Sequence, residues 1–171
     1  MKICLTGGIA CGKSLVSHYL NELGFRTLDA DDIVHELIPE EERKKLAAIV
    51  FNDPSKRKEL ENRIHPIVKS RINEALGKDP DTIAVIPLLF EVHWEGECDI
   101  ICGVVSSKEN QIERMVSTRG YTYEEAFARL SSQMDVSQKA LKSHYVIRND
   151  GSSEELKKET EKFAEWLRSK K

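Results

Sequence analysis

The chain lacks any apolar run near the roughly 20 residues that a membrane-spanning helix needs. It also lacks an excess of basic residues: 26 Lys and Arg stand against 29 Asp and Glu, for a net charge of −3. A general nucleic-acid binder is excluded on that ground, because such proteins carry a basic surface. A local basic pocket for a small phosphorylated ligand is still allowed. There is no internal repeat and no low-complexity linker. The four cysteines, Cys4, Cys11, Cys98 and Cys102, form no C-x-x-C, and no histidine pair has zinc-finger spacing. Reduced thiols, and with them a cytoplasmic protein, are the expectation. Lys2, a short apolar run and "GIAC" imitate a lipoprotein signal, but the run is too short and glycines interrupt it.

What is present fits one domain over residues 1–171. Hydrophobic residues make up 40% and charged residues 32%, enough for a core. Lys2 to Thr6 has the pattern of a buried strand. Lys13 to Leu23 follows as a helix whose inner face is Leu15, Val16, Tyr19, Leu20 and Leu23, with Gly24 as its stop. Arg26 to Leu28 is a short strand. Residues 32–78 are mostly helical, with breaks expected at "NDP" and "HP". "TIAVIPLLF" and "CDIICGVVS" are buried strands. Ser106 with Glu109, Thr122 with Glu125 and Ser152 with Glu155 have the spacing of capping boxes. "HYVI" is a last strand, and the final helix turns Leu156, Phe163, Trp166 and Leu167 inward. This alternation predicts an α/β fold: a parallel sheet with helices on both faces, binding ligands at the carboxyl ends of its strands.

The stretch Gly7 to Ser14, G-G-I-A-C-G-K-S, satisfies every fixed position of Gly-x-x-x-x-Gly-Lys-Ser/Thr. A buried strand leads in and an amphipathic helix leads out, as a phosphate loop requires. Gly7 and Gly12 let the backbone curl so that successive N–H groups face an anion. The helix start adds its positive end. Lys13 brings a mobile cation to the β- and γ-phosphates, and the Ser14 hydroxyl can bind Mg²⁺. Cys11 lies beside this helix start and near Lys13, a setting that can lower a thiol pKa. A small residue filling a loop position is the plainer account.

The regulatory GTPases read guanine with N-K-x-D, which this chain does not contain. A small-molecule kinase suits the length better. In "TLDADDIVHEL", Asp29 and Asp31 follow a strand and fall on one face if the chain is extended. A carboxylate there could accept a proton from an attacking hydroxyl or help hold Mg²⁺. The alternative for Asp31 is a helix N-cap. Arg114, Arg119, Arg129 and Lys139 are spread over a segment poor in large apolar residues, which suits a mobile lid over about residues 114–140.

These pieces, in order along most of the chain, resemble the dephospho-coenzyme A kinases. They are "LTGGIACGKS", "LDADDIVHEL", "KLAAIVFNDPSKRKELENRIHPIV", "VIPLLFE", "ARLSSQ" and "HYVIRNDGSSEEL". The resemblance implies a P-loop kinase core of five parallel strands, a helical acceptor-binding insertion over about 32–78 and a helical lid. It implies transfer of the γ-phosphoryl of ATP, with Mg²⁺, to the ribose 3′-hydroxyl of dephospho-coenzyme A. By the same resemblance, Ala10, Cys11, Gly12, Lys13, Ser14 and Leu15 enclose the ATP phosphates. Asp31 is the base or orienter of the hydroxyl, with Asp29 beside it. Arg114, Arg119 and Arg129 lie in or near the lid, and Asn149 sits in the loop beside the adenine. His65 and Glu91 match family elements on the acceptor side. Partners are then ATP and dephospho-coenzyme A, with neither nucleic acid nor membrane; a monomer is expected, an oligomer left open. Another nucleoside or nucleotide kinase, or an ATP-binding module with a reduced acceptor site, are the competing readings. The chain departs from the family's loop, L-T-G-G-I-G-S-G-K-S/T, at Ala10 and Cys11. Near Leu37 to Lys45 it is also shorter than the family by about twenty residues, on the side that meets the acceptor.

Overall fold

The computed structural model describes the backbone of residues 1–171 and every side chain except those of residues 50 and 51. Five parallel strands form one sheet in the order β2-β3-β1-β4-β5. They are β1 (Ile3–Gly7), β2 (Arg26–Asp29), β3 (Thr82–Val85), β4 (Ile100–Val105) and β5 (Tyr145–Arg148). The central strand β1 aligns Ile3 with Ile83 on one side and with Ile100 on the other. All residues of β1, β3 and β4 are buried, which is why they appear as unbroken apolar runs rather than as alternating ones.

Helices cover both faces. On one face α1 (Lys13–Glu22) and α8 (Ser153–Arg168) bury Val16, Leu20, Leu156, Phe163 and Leu167 against Leu5, Cys102, Val104 and Ile147. On the other, α2 (Ala30–Leu37) and α4 (Pro54–Lys78) bury Ile33, Val68, Ile72 and Leu76 against Ala84 and Ile101. Between them α3 (Glu40–Asn52) pairs with α4. α5 (Lys108–Arg119) and α6 (Tyr123–Ser131) form a third small core, Ile112, Met115 and Ala126, that rests on Ile9 and Ala10 of the phosphate loop. α7 (Val136–Lys142) crosses β4 and β1. It can do so because Gly103 has no side chain: a Cβ there would meet the Ser143 hydroxyl at 2.6 Å.

Local signals explain most element ends. Gly24 (φ +91°) closes α1. Asp53 caps α4, accepting from the N–H groups of Ser55 (3.0 Å) and Lys56 (3.3 Å), and Pro54 takes the first helical position. The boxes at Thr122/Glu125 and Ser152/Glu155 are both formed. Three expectations are corrected. The break at "HP" does not occur: Pro66 lies inside α4, where Val68, Ile72 and Leu76 hold the following turns in the core. The cap of α5 is Ser107, which accepts from the Asn110 N–H, so the cap falls one residue later than Ser106 and no box with Glu109 forms. Leu15 is exposed rather than on the inner face of α1, because it turns toward the cleft, which it lines, while Val16 beside it takes the core position.

The four cysteines are not all free thiols. Cys4 on β1 is disulfide-bonded to Cys98, with Cα atoms 6.0 Å apart. A sequence separation of 94 hides this pairing; it exists because β4, entered just after Cys98, lies directly beside β1.

Candidate active site

The phosphate loop leaves the end of β1 and returns as α1. Gly12 is the N-cap of α1 with φ +94°, a left-handed conformation natural to glycine. A Cβ there would come within 2.4 Å of the Asn149 amide. The loop is braced from behind by side chains. Asn149 Nδ2 donates to the Cys11 carbonyl at 2.9 Å. Gln111 Nε2 donates to the Ile9 carbonyl at 2.8 Å. Arg114 donates through Nη1 to the Ala10 carbonyl (3.1 Å) and the Ser106 hydroxyl (2.8 Å), and through Nη2 to the Asn149 carbonyl (2.7 Å). Ala10 itself has φ +56°, a position where glycine costs less.

In front of the loop opens a cleft of about 510 Å³. It brings together Ala10 and Gly12 to Leu15 of the loop, Asp29 from the end of β2, Asp31 from the start of α2, and Arg114 and Arg119 from α5. Pro87, Thr118 and Gln133 complete its wall. The strand that carries the carboxylates is not the neighbour of the loop strand, because β3 lies between β2 and β1; loop and carboxylates still meet because all three strands are parallel and end at the same edge of the sheet. A larger cavity, about 910 Å³, lies on the other side of Gly8 among α5, α7 and β5. It holds neither Lys13 nor the two aspartates, so the chemistry belongs to the smaller cleft.

The two aspartates have different tasks. Asp29 is the N-cap of α2, its Oδ1 accepting from the Asp31 N–H at 2.8 Å. The cap anticipated for Asp31 thus belongs to its neighbour. Partial burial raises the Asp29 pKa, against the pull of that hydrogen bond. Asp31 stands in the first turn of α2, exposed to the cleft. Lys13 folds back on its own loop, donating to the carbonyls of Gly8 (2.7 Å) and Gly7 (3.3 Å). Burial pushes its pKa down from 10.5 to about 8, and Lys139 and Arg119 add to this, while Cys11 and Asp31 oppose it. The Cys11 thiol is fully buried, and desolvation raises its pKa although Lys13 pulls it down. Desolvation outweighs the helix N-terminus, so Cys11 is not an activated thiol.

Other anticipated residues lie outside the lining of this cleft. Arg129 stacks over the Tyr121 ring at 4.4 Å. His65 meets Trp94 edge-on at 5.6 Å. Asn149 is buried beneath the loop. Glu91 pairs with Lys139 at 3.1 Å. Lys139, read in the sequence as one of several lid cations, is completely buried instead. Lysines at solvated and buried positions look alike in a sequence; only the partners differ. Thr118 and Pro87 carried no signal of their own.

A loop of this form at the end of the central strand, a 2-3-1-4-5 parallel sheet, and paired carboxylates across the cleft define a P-loop kinase. The family model of dephospho-CoA kinase matches residues 1–44 and 39–155. A dephospho-CoA kinase of Sulfurimonas denitrificans is 33% identical, over 98% of this chain and 94% of its own. That alignment spans 192 positions, more than the chain's 171 residues; the relative carries residues this chain lacks. Among solved structures, one from Thermus thermophilus has a TM-score of 0.81 at 31% identity, covering 98% of this chain and 97% of that one. A dephospho-CoA kinase from Campylobacter jejuni has a TM-score of 0.65 at 28% identity, with 97% of each chain covered. The chain belongs to the dephospho-CoA kinase family, and is by that membership a phosphotransferase. The two pieces of the family match meet at the start of α3, where the shorter segment was noted.

Proposed function

We propose that this cleft passes the γ-phosphoryl of ATP to the ribose 3′-hydroxyl of dephospho-coenzyme A, giving coenzyme A and ADP, the last step of coenzyme A synthesis. The observation that carries the reading is the opening of Lys13 and Asp31 into one cleft: a phosphate cradle faces a solvent-accessible carboxylate.

The backbone N–H groups of Ala10 to Leu15 and the start of α1 receive the phosphates. Lys13 leaves its resting carbonyls for the β- and γ-oxygens. Arg119, exposed at the end of α5, closes on the same charge from the lid, formed by α5 and α6, with Arg129 further along it. Arg114 fixes the loop from the start of the lid, and Asn149 sits in the loop beside the adenine. Asp31 accepts or orients the acceptor hydroxyl, and Asp29 holds the first turn of α2 that carries it. Helices α2 to α4, with His65 and Glu91 nearby, make the acceptor side. The site also fits Mg²⁺. No cluster of three metal-binding side chains exists among the described residues, and this ion prefers one or two protein oxygens plus phosphates and water. Ser14, exposed in the first turn of α1, and the Asp29/Asp31 pair supply such oxygens. When bound, Mg²⁺ neutralises charge on the β- and γ-phosphates. Among the described residues no helix is long and apolar enough to cross a membrane; the cytoplasmic location is part of the family reading, since the Cys4–Cys98 disulfide removes the support that reduced thiols would have given it.

An assay with ATP, Mg²⁺ and dephospho-coenzyme A, read by ADP release and by the mass of the product, tests this. Stoichiometric ADP and coenzyme A are expected. ATP binding without transfer, or preferential transfer to a nucleoside in an acceptor panel, would overturn it.

A further inference from the structure

Beneath the phosphate loop lies a cation that touches no solvent. Lys139 is 0% exposed. Its ammonium donates to the Pro87 carbonyl at 2.9 Å and the Gly7 carbonyl at 3.4 Å, and meets Glu91 Oε2 at 3.1 Å. An ammonium this deep persists only with such partners, because removing it from water is costly. Each partner is mechanically informative. Gly7 begins the phosphate loop. Pro87 follows β3 and lines the cleft; its carbonyl also accepts from the Thr6 hydroxyl at 3.2 Å. Glu91 balances the charge, and its Oε2 accepts in addition from the Met134 N–H at 3.4 Å.

The Gly7 carbonyl is shared. Lys13 Nζ donates to it at 3.3 Å, and Lys139 Nζ at 3.4 Å. Lys13 must leave that carbonyl to reach a phosphate. When it does, Lys139 still satisfies the oxygen, so no buried acceptor is stranded. The other carbonyl it vacates, that of Gly8, keeps the Cys11 N–H at 3.4 Å. The two ammoniums also repel, which favours the outward position of Lys13.

We propose that Lys139 is a positioning residue for phosphoryl transfer: one buried ammonium joins the root of the phosphate loop to the Pro87 wall of the cleft and keeps the Gly7 carbonyl satisfied when Lys13 turns to the phosphates. The role rests on the kinase reading above and acts through Lys13 and the loop rather than on substrate. Since α7 carries Lys139, the segment after the lid helices is part of the machinery that shapes the donor site.

The test is Lys139→Met, with Lys139→Arg and Lys139→Gln beside it, in the full chain. Melting temperature, kcat, and KM for ATP and for dephospho-coenzyme A are measured, the kinetics well below each variant's melting temperature. Wild type is run first: if it transfers nothing to dephospho-coenzyme A, the functional reading fails independently of Lys139. With an active wild type, folded Lys139→Met is expected to lose kcat by about 10²-fold, the scale of a small misplacement in an active site. ATP KM is expected to rise, and KM for the acceptor to stay near wild type. Lys139→Arg keeps the charge and is expected to recover part of kcat. A folded Lys139→Met with wild-type kcat and a lower melting temperature makes Lys139 purely structural and overturns the proposal. If Lys139→Met does not fold, Lys139→Gln, which keeps a donor, decides by the same comparison: kcat near wild type overturns, kcat clearly reduced supports.

Discussion

The side-chain amide of Asn149 donates to the carbonyl of Cys11 at 2.9 Å, so the end of β5 holds the phosphate loop from within. The amide occupies the space into which a side chain at Gly12 would project: an added Cβ would approach it to 2.4 Å. Gly12→Ala therefore meets both a left-handed backbone (φ +94°) and an obstruction. The expected loss is about 1–3 kcal/mol of stability with ATP binding severely weakened, read by thermal melting and by nucleotide titration. A variant with wild-type melting and affinity contradicts this geometry.

Lys13→Ala removes the one mobile cation of the loop. The expected effect is a fall in kcat of about 10²-fold or more, roughly 3 kcal/mol of barrier, with folding little changed. Turnover close to wild type would remove the loop from the mechanism.

The same lysine sets a pH dependence. With its pKa lowered from 10.5 to about 8 in the free enzyme, Lys13 loses charge as pH rises through 8. The profile of kcat/KM for ATP should fall across that region, since this ratio reports free-enzyme groups. The contribution to folding has the opposite direction. Between pH 8 and 10.5 the unfolded chain binds the proton that the folded chain has released, so stability from this group rises with pH over that interval and is lost as pH falls through 8. Lys13→Met should flatten both dependences.

Asp31→Asn keeps the size of the side chain and leaves the Asp29 cap intact. Normal melting and ATP affinity are expected, with kcat lowered by about 10²- to 10⁴-fold, the span for losing a general base. The lower end is favoured because phosphoryl transfer has a loose transition state. Asp29→Asn retains an N-cap side chain and should cost less turnover. If both variants match the parent, the pair is structural and the role given to Asp31 is wrong.

Cys11 should resist alkylation. It is fully buried and its thiol pKa is raised by desolvation, so too little exposed thiolate forms at neutral pH. Mass spectrometry of native protein treated with iodoacetamide should find the Cys11 peptide unmodified. Rapid labelling, protected by ATP, would show that the loop opens far more than this geometry implies.

The sequence by itself determined the phosphate loop, the alternation of strands and helices, and the capping boxes of α6 and α8. These are local: Gly7 to Ser14 is contiguous, and the side chain that caps a helix lies within three residues of its partner. It also brought Asp29 and Asp31 into the candidate site, because a short strand ends just before them. Tertiary structure decided what depends on distant partners. Both aspartates line the cleft, and which of them also caps α2 was settled by the exact start of that helix. Arg114 became a strut because Ala10, Ser106 and Asn149 converge on it from three separate strand ends. Cys11 lost its reactivity to burial, and Cys4 gained a partner 94 residues away. Lys139, indistinguishable in the sequence from a solvated lid cation, is enclosed between Gly7, Pro87 and Glu91. A charge has no fixed meaning along the chain; its role is set by the dielectric and the hydrogen-bond acceptors that folding places around it.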